Sequence, residues 1–481
     1  MNKKSSSKHD LYILLSCFLM SRVIIKLLGV SFGYNALYEY WQYLDITSLK
    51  TNLLNSLWYQ HSQPPVFNLL LGIILKVSGN YSRYAIEFLL LAITCCNGLL
   101  LLSILRRIIY SSNFSLILSL LYILSPATIL FENELFYTTF ISLLLLIAVH
   151  FMIMVSQKQS WQNISGMFAA LSLICLTRSM YHLAWLITIS GILLLIYYGK
   201  KGFKKILLAG LFSIILVGGW YLKNYLVFGN FSASSWVGIN FSRIVFHNNE
   251  VPDSNNIASV HPFMPISYYK RFISDDYKRE YAGINDRILL METKNNRYIN
   301  MNNAGYIEIS KKYMTASLLQ VSQHPLSYLK NVFTAFIIFF TPASSYFKVK
   351  ENDNRIRYYD MLYSFNPAHL FKDDLKKKQS LVIAAIPKLL LYTFTFFIMI
   401  SKGLRSKSFS ILTIFIIITI LFSLTVSSLL DYGENMRFRY EIEPLFLILA
   451  AQAIVSLKQD NKTKEIYMND RLKRSNRKYK S

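Results

Sequence analysis

Residues Phe114–Val155 run FSLILSLLYILSPATIL, then FENE, then LFYTTFISLLLLIAVHFMIMV. The flanking stretches, Phe114–Leu130 and Leu135–Val155, hold 17 and 21 residues and no Asp, Glu, Lys or Arg. At ~1.5 Å per helical residue, each approaches or matches the ~30 Å hydrocarbon core of a bilayer. Only Phe131-Glu132-Asn133-Glu134 separates them, so the chain crosses and returns with almost no loop. The segment reads as a hairpin of two membrane spans.

Runs of similar character extend in both directions. Leu11–Phe32 follows a basic N-terminus and resembles an uncleaved signal anchor. Its Arg22 and Lys26 are expensive at membrane depth unless they face protein or reach the interface. Further runs cover Ala85–Leu105, Ile164–Leu176, Tyr181–Tyr198, Ile206–Leu222, Leu381–Ile400, Phe409–Ser428 and Leu445–Leu457. The sum is about ten spans and an all-α polytopic fold. Val66–Val77 and Val332–Phe340 are too short to cross and read as interfacial or re-entrant helices.

Composition agrees. Apolar residues make up 53% of the 481 and charged residues 16%, against the ~25% charged expected of a soluble domain. Those figures exclude a soluble multidomain protein, a disordered chain, a collagen-like repeat and a small disulfide scaffold. Lys and Arg number 51 and Asp and Glu 26, a net +25. In a membrane chain such an excess points to lipid headgroups or an anionic substrate before nucleic acid. Cys17, Cys95, Cys96 and Cys175 all lie in apolar runs, so neither disulfide nor metal site is read from them.

Basic residues fix an expected orientation by the positive-inside rule. Arg106/Arg107, Lys158, Lys200–Lys205, Lys402–Lys407 and the tail Lys458–Ser481, with nine basic and three acidic residues, fall on the cytoplasmic side. Lys376–Lys378 falls against the rule, on the outer side. The organisation is an N-terminal module over 1–225 that includes the first outer loop (33–84), a long outer region over 226–380, C-terminal spans over 381–457 and a basic tail over 458–481. Any chemistry should therefore sit on the outer face.

The polar residues of that face are few. Glu39 and Asp45 lie among Tyr38, Tyr40, Trp41 and Tyr43, and a carboxylate held among aromatics suits a general base. The plain alternative is an amphipathic interfacial helix with two solvated acids, and spacing alone favours it. In His61-Ser62-Gln63-Pro64-Pro65 two prolines open a helix and hold His61 and Gln63 beside the membrane. Glu132 and Glu134 join two spans, and Arg178 ends another. Lys223 and Asn224 close the seventh. Arg437 and Arg439 precede the last. Arg suits bidentate phosphate contact and Lys a point charge. Taken singly, each charge is better read as neutralising another at a helix end.

Taken together, an acid-bearing outer loop, HSQPP with an apolar helix, ENELFY, WYLKNYLVFG…SSWVGIN and RFRYEIEP resemble the bacterial ArnT-like and protein O-mannosyltransferase-like membrane glycosyltransferases of the GT-C superfamily. The resemblance runs from near the N-terminus to Gln452 and rests on short motifs. It implies a seven-helix N-terminal module, juxtamembrane helices in outer loops, and transfer of a sugar from a polyprenyl-phosphate donor to a lipid, glycan or protein acceptor. Glu39 or Asp45 would take the acceptor proton. His61, Arg178, Lys223 and Arg437 or Arg439 would neutralise the leaving phosphate, with Gln63, Glu132, Glu134 and Asn224 as further contacts. Two departures stand out: Glu39 in YEYW with Asp45 replaces the family's usual Asp or Asp-Glu, and Gln63 replaces a basic residue before the prolines. No cofactor is implied, although parts of the superfamily depend on metal. The competing reading, a transporter or flippase of an anionic lipid, needs charges at mid-membrane depth; a scaffold would explain neither HSQPP nor the clustering.

The orientation has a direct test. In a cysteine-free background, a cysteine at Asn255 should react with a membrane-impermeant thiol reagent in intact cells and one at Ser475 should not. The reverse pattern would invert the topology.

Overall fold

The computed structural model describes residues 3–109, 111–247, 255–284, 286–295, 297–371, 373–406 and 409–478, with side chains beyond Lys458 left out. The expected basic side chains of the tail after Lys458, together with Lys377, Lys378 and Lys407, lie outside the described set. The only strands among the described residues are Thr293–Lys294 and Tyr298–Ile299, an antiparallel pair. The rest is helix and connecting loop. Six helices are long and apolar enough to cross a membrane, or seven if one bent pair counts as a single span. The chain is thus an all-α, multi-pass membrane protein.

The six are Val66–Ile108, Thr138–Gln157, Phe203–Phe228, Gln379–Ser406, Ile411–Leu430 and Asn435–Lys458. Trp161–Thr177 and Leu183–Tyr197 are apolar but shorter. Lys3–Leu27 carries Asp10, Arg22 and Lys26 along its length. Polar side chains cap the start of several helices. Ser111, Ser160 and Ser410 accept hydrogen bonds from the backbone N–H of Phe114, Asn163 and Thr413, which satisfies donors that the first turn leaves free.

Ser125 serves as the end of one helix and the cap of the next. It accepts from Thr128 N, and Pro126 follows at the first position. Proline has no N–H to continue the preceding ladder, so Ser112–Leu124 and Pro126–Glu132 diverge by 52°. The expected straight span Phe114–Leu130 is therefore broken. Gly79, at φ 53°, marks a short 3-10 turn between Val66–Ser78 and Ser82–Ile108, without the sharp bend seen at Pro126, so Val66–Ile108 still counts as one span. The left-handed region costs glycine least.

Other boundaries move as well. The expected break at residue 225 falls inside Phe203–Phe228, and the one at 457 inside Asn435–Lys478. Val332–Phe340 was expected to be a short interfacial piece. It extends back to Pro325, which starts the helix as its first residue. The resulting helix packs against 374–406, 411–430 and 435–478. Its polar Asn331 is buried and donates to Ile244 O at 2.8 Å, which is why hydropathy alone truncated it.

A large core joins the helices, and a second, smaller one lies in the loop region around Trp236, Ile239, Phe263, Tyr269, Tyr306 and Tyr313. Tyrosines serve this second core doubly. Their rings are buried while the hydroxyls of Tyr269, Tyr306 and Tyr313 donate to the carbonyls of His261, Met264 and Val260 at 2.9, 2.8 and 2.6 Å. Helix Val237–Val245 docks on Gly305–Gln323 through Gly238, whose N–H donates to Ser310 Oγ at 3.1 Å. A methyl there would overlap Ser310 O.

Two cations of the first helix are paired. Arg22 grips Glu132 with two bonds, Nε to Oε1 at 2.8 Å and Nη2 to Oε2 at 2.7 Å, and both side chains are buried. Lys26 reaches Glu87 at 2.5 Å and Asn133 Oδ1 at 3.2 Å. Removing one member of a buried pair strands the other. Glu132→Gln or Arg22→Met should lower stability by roughly 3–5 kcal/mol, read as a drop in the thermal midpoint of detergent-solubilised protein. The double variant Arg22→Met/Glu132→Leu should recover much of the loss; equal loss in all three would mean the pair does not stabilise the helix contact.

Candidate functional site

A cavity of about 170 Å³ opens where several helix ends meet two loops. Trp41, Gln42 and Gln63 come from the first loop, Arg178–Met180 and His182 from the turn after helix 161–177, and Ser234, Trp236, Asn240 and Arg243 from the segment after helix 203–228. Asp431, Glu434, Arg437 and Phe438 close it from the start of the last helix. Phe263 stacks on Trp41 with centroids 4.3 Å apart and planes within 9°. Flat aromatic faces beside amide side chains make a wall that can receive a ring bearing hydroxyls.

Four of its charges, Arg243, Asp431, Glu434 and Arg437, form one chain of contacts. Arg243 Nη1 lies 3.0 Å from Asp431 and 3.4 Å from Glu434. Glu434 Oε2 meets Arg437 Nη2 at 2.6 Å. Arg178 pairs with Glu441, and both are buried. Burial would raise the Glu434 carboxyl, but the guanidiniums of Arg437 and Arg243 outweigh it and hold it below its usual value. Asp431 goes the other way, with burial pushing it up to about 6 against the pull of Arg243. Burial, and then the neighbouring Arg437, lower Arg178 to about 10.

Arg437 is 4% exposed, and its guanidinium stands 4.3 Å from the centre of the Phe136 ring. Its Nε and Nη1 are buried and have no hydrogen-bond acceptor. A buried charged donor without a partner costs more than a neutral one. The site is thus left with cationic hydrogen-bonding capacity beside an opening, and a phosphate oxygen would satisfy it. Gln63 Oε1, on the same wall, also has no partner.

Of the residues expected from sequence, the cavity gathers Gln63, Arg178 and Arg437. The others are placed elsewhere. Arg439 lies on the same helix as Arg437 but points away. Two positions in an α-helix differ by ~200°, and Arg439 donates through Nε to Phe339 O at 2.9 Å and pairs with Glu443. Lys223 donates to Gln60 O at 2.6 Å and sits 3.6 Å over the Trp220 ring; it secures the first loop and does not face the cavity. Asn224 binds Ser232 O at 2.8 Å, closing the end of its helix. Glu132 is taken by Arg22. Glu134 accepts from the Tyr40 hydroxyl, and burial pushes its carboxyl up to about 7.

His61 is no phosphate ligand. Its Nδ1 is 2.7 Å from Ser235 Oγ and its Nε2 is 3.0 Å from Asn302 O. A carbonyl only accepts, so Nε2 carries the proton and Nδ1 takes the Ser235 hydroxyl. The ring is neutral and 1% exposed. Asp45 is equally committed: it caps its helix at Ser48 N, 3.1 Å, accepts Asn295 N at 2.9 Å, and pairs with Arg287 at 3.1 Å. Glu39 is half-buried, 3.3 Å from the Tyr298 hydroxyl, and off the cavity wall.

Arg243 and Asp431 escaped the sequence reading. Arg243 is the one charge in SSWVGINFSRIVF, a signal overshadowed by the neighbouring WYLKNY motif. Asp431 reads as an ordinary helix terminator.

No protein-family description, curated protein or solved structure matches the chain.

The His61 arrangement predicts an acid sensitivity. Burial, then the charge of Lys223, depress the folded-state pKa to about 3, whereas an unfolded histidine titrates near ~6.5. Below ~6.5 the unfolded chain binds a proton the folded one refuses, so stability falls as pH drops toward 3 and is insensitive above 6.5. The thermal midpoint should fall between pH 7 and pH 5, by less in His61→Gln. An identical pH slope in both proteins would sink the neutral-ring assignment.

Proposed function

We propose that the chain is an integral membrane glycosyltransferase of GT-C type, with about ten spans, cytoplasmic termini and its site on the outer face. It transfers a sugar from a polyprenyl-phosphate donor to a lipid, glycan or protein acceptor. The observation that carries this reading is Arg437, a buried guanidinium on the cavity wall with two nitrogens lacking acceptors. The Trp41–Phe263 stack and the Gln42, Gln63 and Asn240 amides support a sugar beside it. Apart from Arg22, Lys26 and Lys388, the charges cluster at helix ends, which favours surface chemistry over transport through the midplane.

In the reaction, the acceptor oxygen attacks the anomeric carbon while the bond to the phosphate oxygen breaks and its electron pair leaves with the phosphate. Arg437, with Arg178 and Arg243 nearby, offsets that developing charge. The acceptor proton goes to a carboxylate. Sequence favours Glu39; the cavity wall offers Asp431, whose raised proton affinity suits a base working near neutrality. We assign the role to Asp431.

Two measurements bear on this. Mass spectrometry of envelope glycans and lipid-linked sugars, with and without the gene, should find one sugar addition lost; an unchanged profile would remove the transferase reading. In purified protein, Arg437→Lys should weaken polyprenyl-phosphate binding by about 10-fold or more, the equivalent of one charge-assisted hydrogen bond. Arg439→Lys should leave affinity intact and lower the thermal midpoint. Asp431→Asn should abolish turnover while Glu39→Gln retains it, and the opposite pattern returns the base to Glu39.

A further inference from the structure

Asp353, Asp360 and His369 come from three successive short elements, Lys350–Arg355, Arg357–Ser364 and the 3-10 turn Pro367–Leu370. They converge on one point. His369 Nε2 lies 3.1 Å from Asp360 Oδ2 and 3.3 Å from Asp353 Oδ2, and one ligand atom from each falls within 4.8 Å of the others. Asp353 and Asp360 are 5% and 0% exposed. None of the three lines the cavity around Arg437.

We propose that this cluster binds a divalent transition-metal ion of the zinc class, through Nε2 of His369 and one oxygen from each aspartate. Four observations carry it. Ligands at ~2.0–2.1 Å from a tetrahedral ion stand ~3.3 Å apart, close to the two nitrogen–oxygen separations. Asp353 Oδ1 is buried and accepts no hydrogen bond, so the enclosed carboxylate has capacity that its neighbours leave unused.

Charge is the third. Two carboxylates around an imidazolium leave a net negative charge within the cluster, which is costly in a buried place and which Lys388, within electrostatic reach of Asp360, offsets only from outside. A neutral imidazole and a dication bring the group to zero. The fourth is the support around the ligands. Asp360 Oδ1 accepts from Ser364 Oγ and its Oδ2 from Asn366 Nδ2, both at 2.7 Å. Outer hydrogen bonds of this kind orient carboxylates that ligate metals. One imidazole and two carboxylates suit zinc, manganese, iron or cobalt; calcium and magnesium require about six oxygens.

The ion pins an outer loop. Tyr359 and Tyr363, between the ligands, donate to the Leu124 and Leu121 carbonyls of helix 112–124. Asn352 exchanges two bonds with the Ser31 backbone, at 3.1 and 2.8 Å. Binding therefore fastens residues 350–370 to the loop after helix 3–27 and to helix 112–124.

The test uses the full-length protein in detergent after chelator treatment. Zinc alone, titrated by calorimetry, should bind at one ion per chain and raise the thermal midpoint by several degrees. Asp353→Asn and His369→Gln should each weaken binding at least tenfold, because each removes a direct ligand. Cobalt(II) added to the wild-type protein should give visible absorption bands that zinc abolishes, a readout independent of whether either variant folds. Absence of saturable binding, binding unchanged in both variants, or a response to calcium alone would overturn the proposal and leave His369 as the cation of an aspartate–histidine–aspartate triad.

Discussion

A guanidinium enclosed by apolar helices has to meet a carboxylate, and this constraint arranges the whole molecule. Arg22 with Glu132 ties the first helix to the break at Ser125–Pro126. Arg178 with Glu441 ties the turn after helix 161–177 to the last helix. Arg243 with Asp431 and Glu434 brings the loop region onto the same end. Each pair joins elements far apart in sequence; the first two are buried, where unpaired charge would be prohibitive, and the third is partly buried. The cavity lies where the second and third ties meet, beside Arg437, whose own pairing with Glu434 leaves two nitrogens without an acceptor.

How much of this is legible in the chain depends on the range of the interaction. The helical class and the main apolar helices follow from hydropathy, because lipid imposes it residue by residue. The break at Pro126 has a local cause that sequence contains, yet an apolar window averages over it. Helix 325–340 begins before its apolar run, since Asn331 is polar and still buried through a partner 87 positions away. Long-range satisfaction of this kind is invisible in a hydropathy profile.

The site divides in the same way. Arg178 and Arg437 are identifiable as charges at helix ends, and Gln63 through its place before two prolines. His61 drew attention for the same reason, but its hydrogen bonds to Ser235 and Asn302 make it a fastener between loops. Arg437 and Arg439 are indistinguishable in RFRY until the backbone is known to be helical, when one turn angle sends them to opposite sides. Asp353, Asp360 and His369 have no ligating motif in sequence; three separate short elements bring them together.

Gly238 carries a genetic implication. Its contact with Ser310 leaves no room for a methyl group, so the docking of the loop region rests on one missing side chain. Random mutagenesis would register this position as intolerant of every replacement, and alanine would fare nearly as badly as valine. A survey of missense alleles would then place a hotspot on an uncharged glycine beside the wall residue Val237. The loss would be one of assembly of the loop region, with every charged group of the site still encoded.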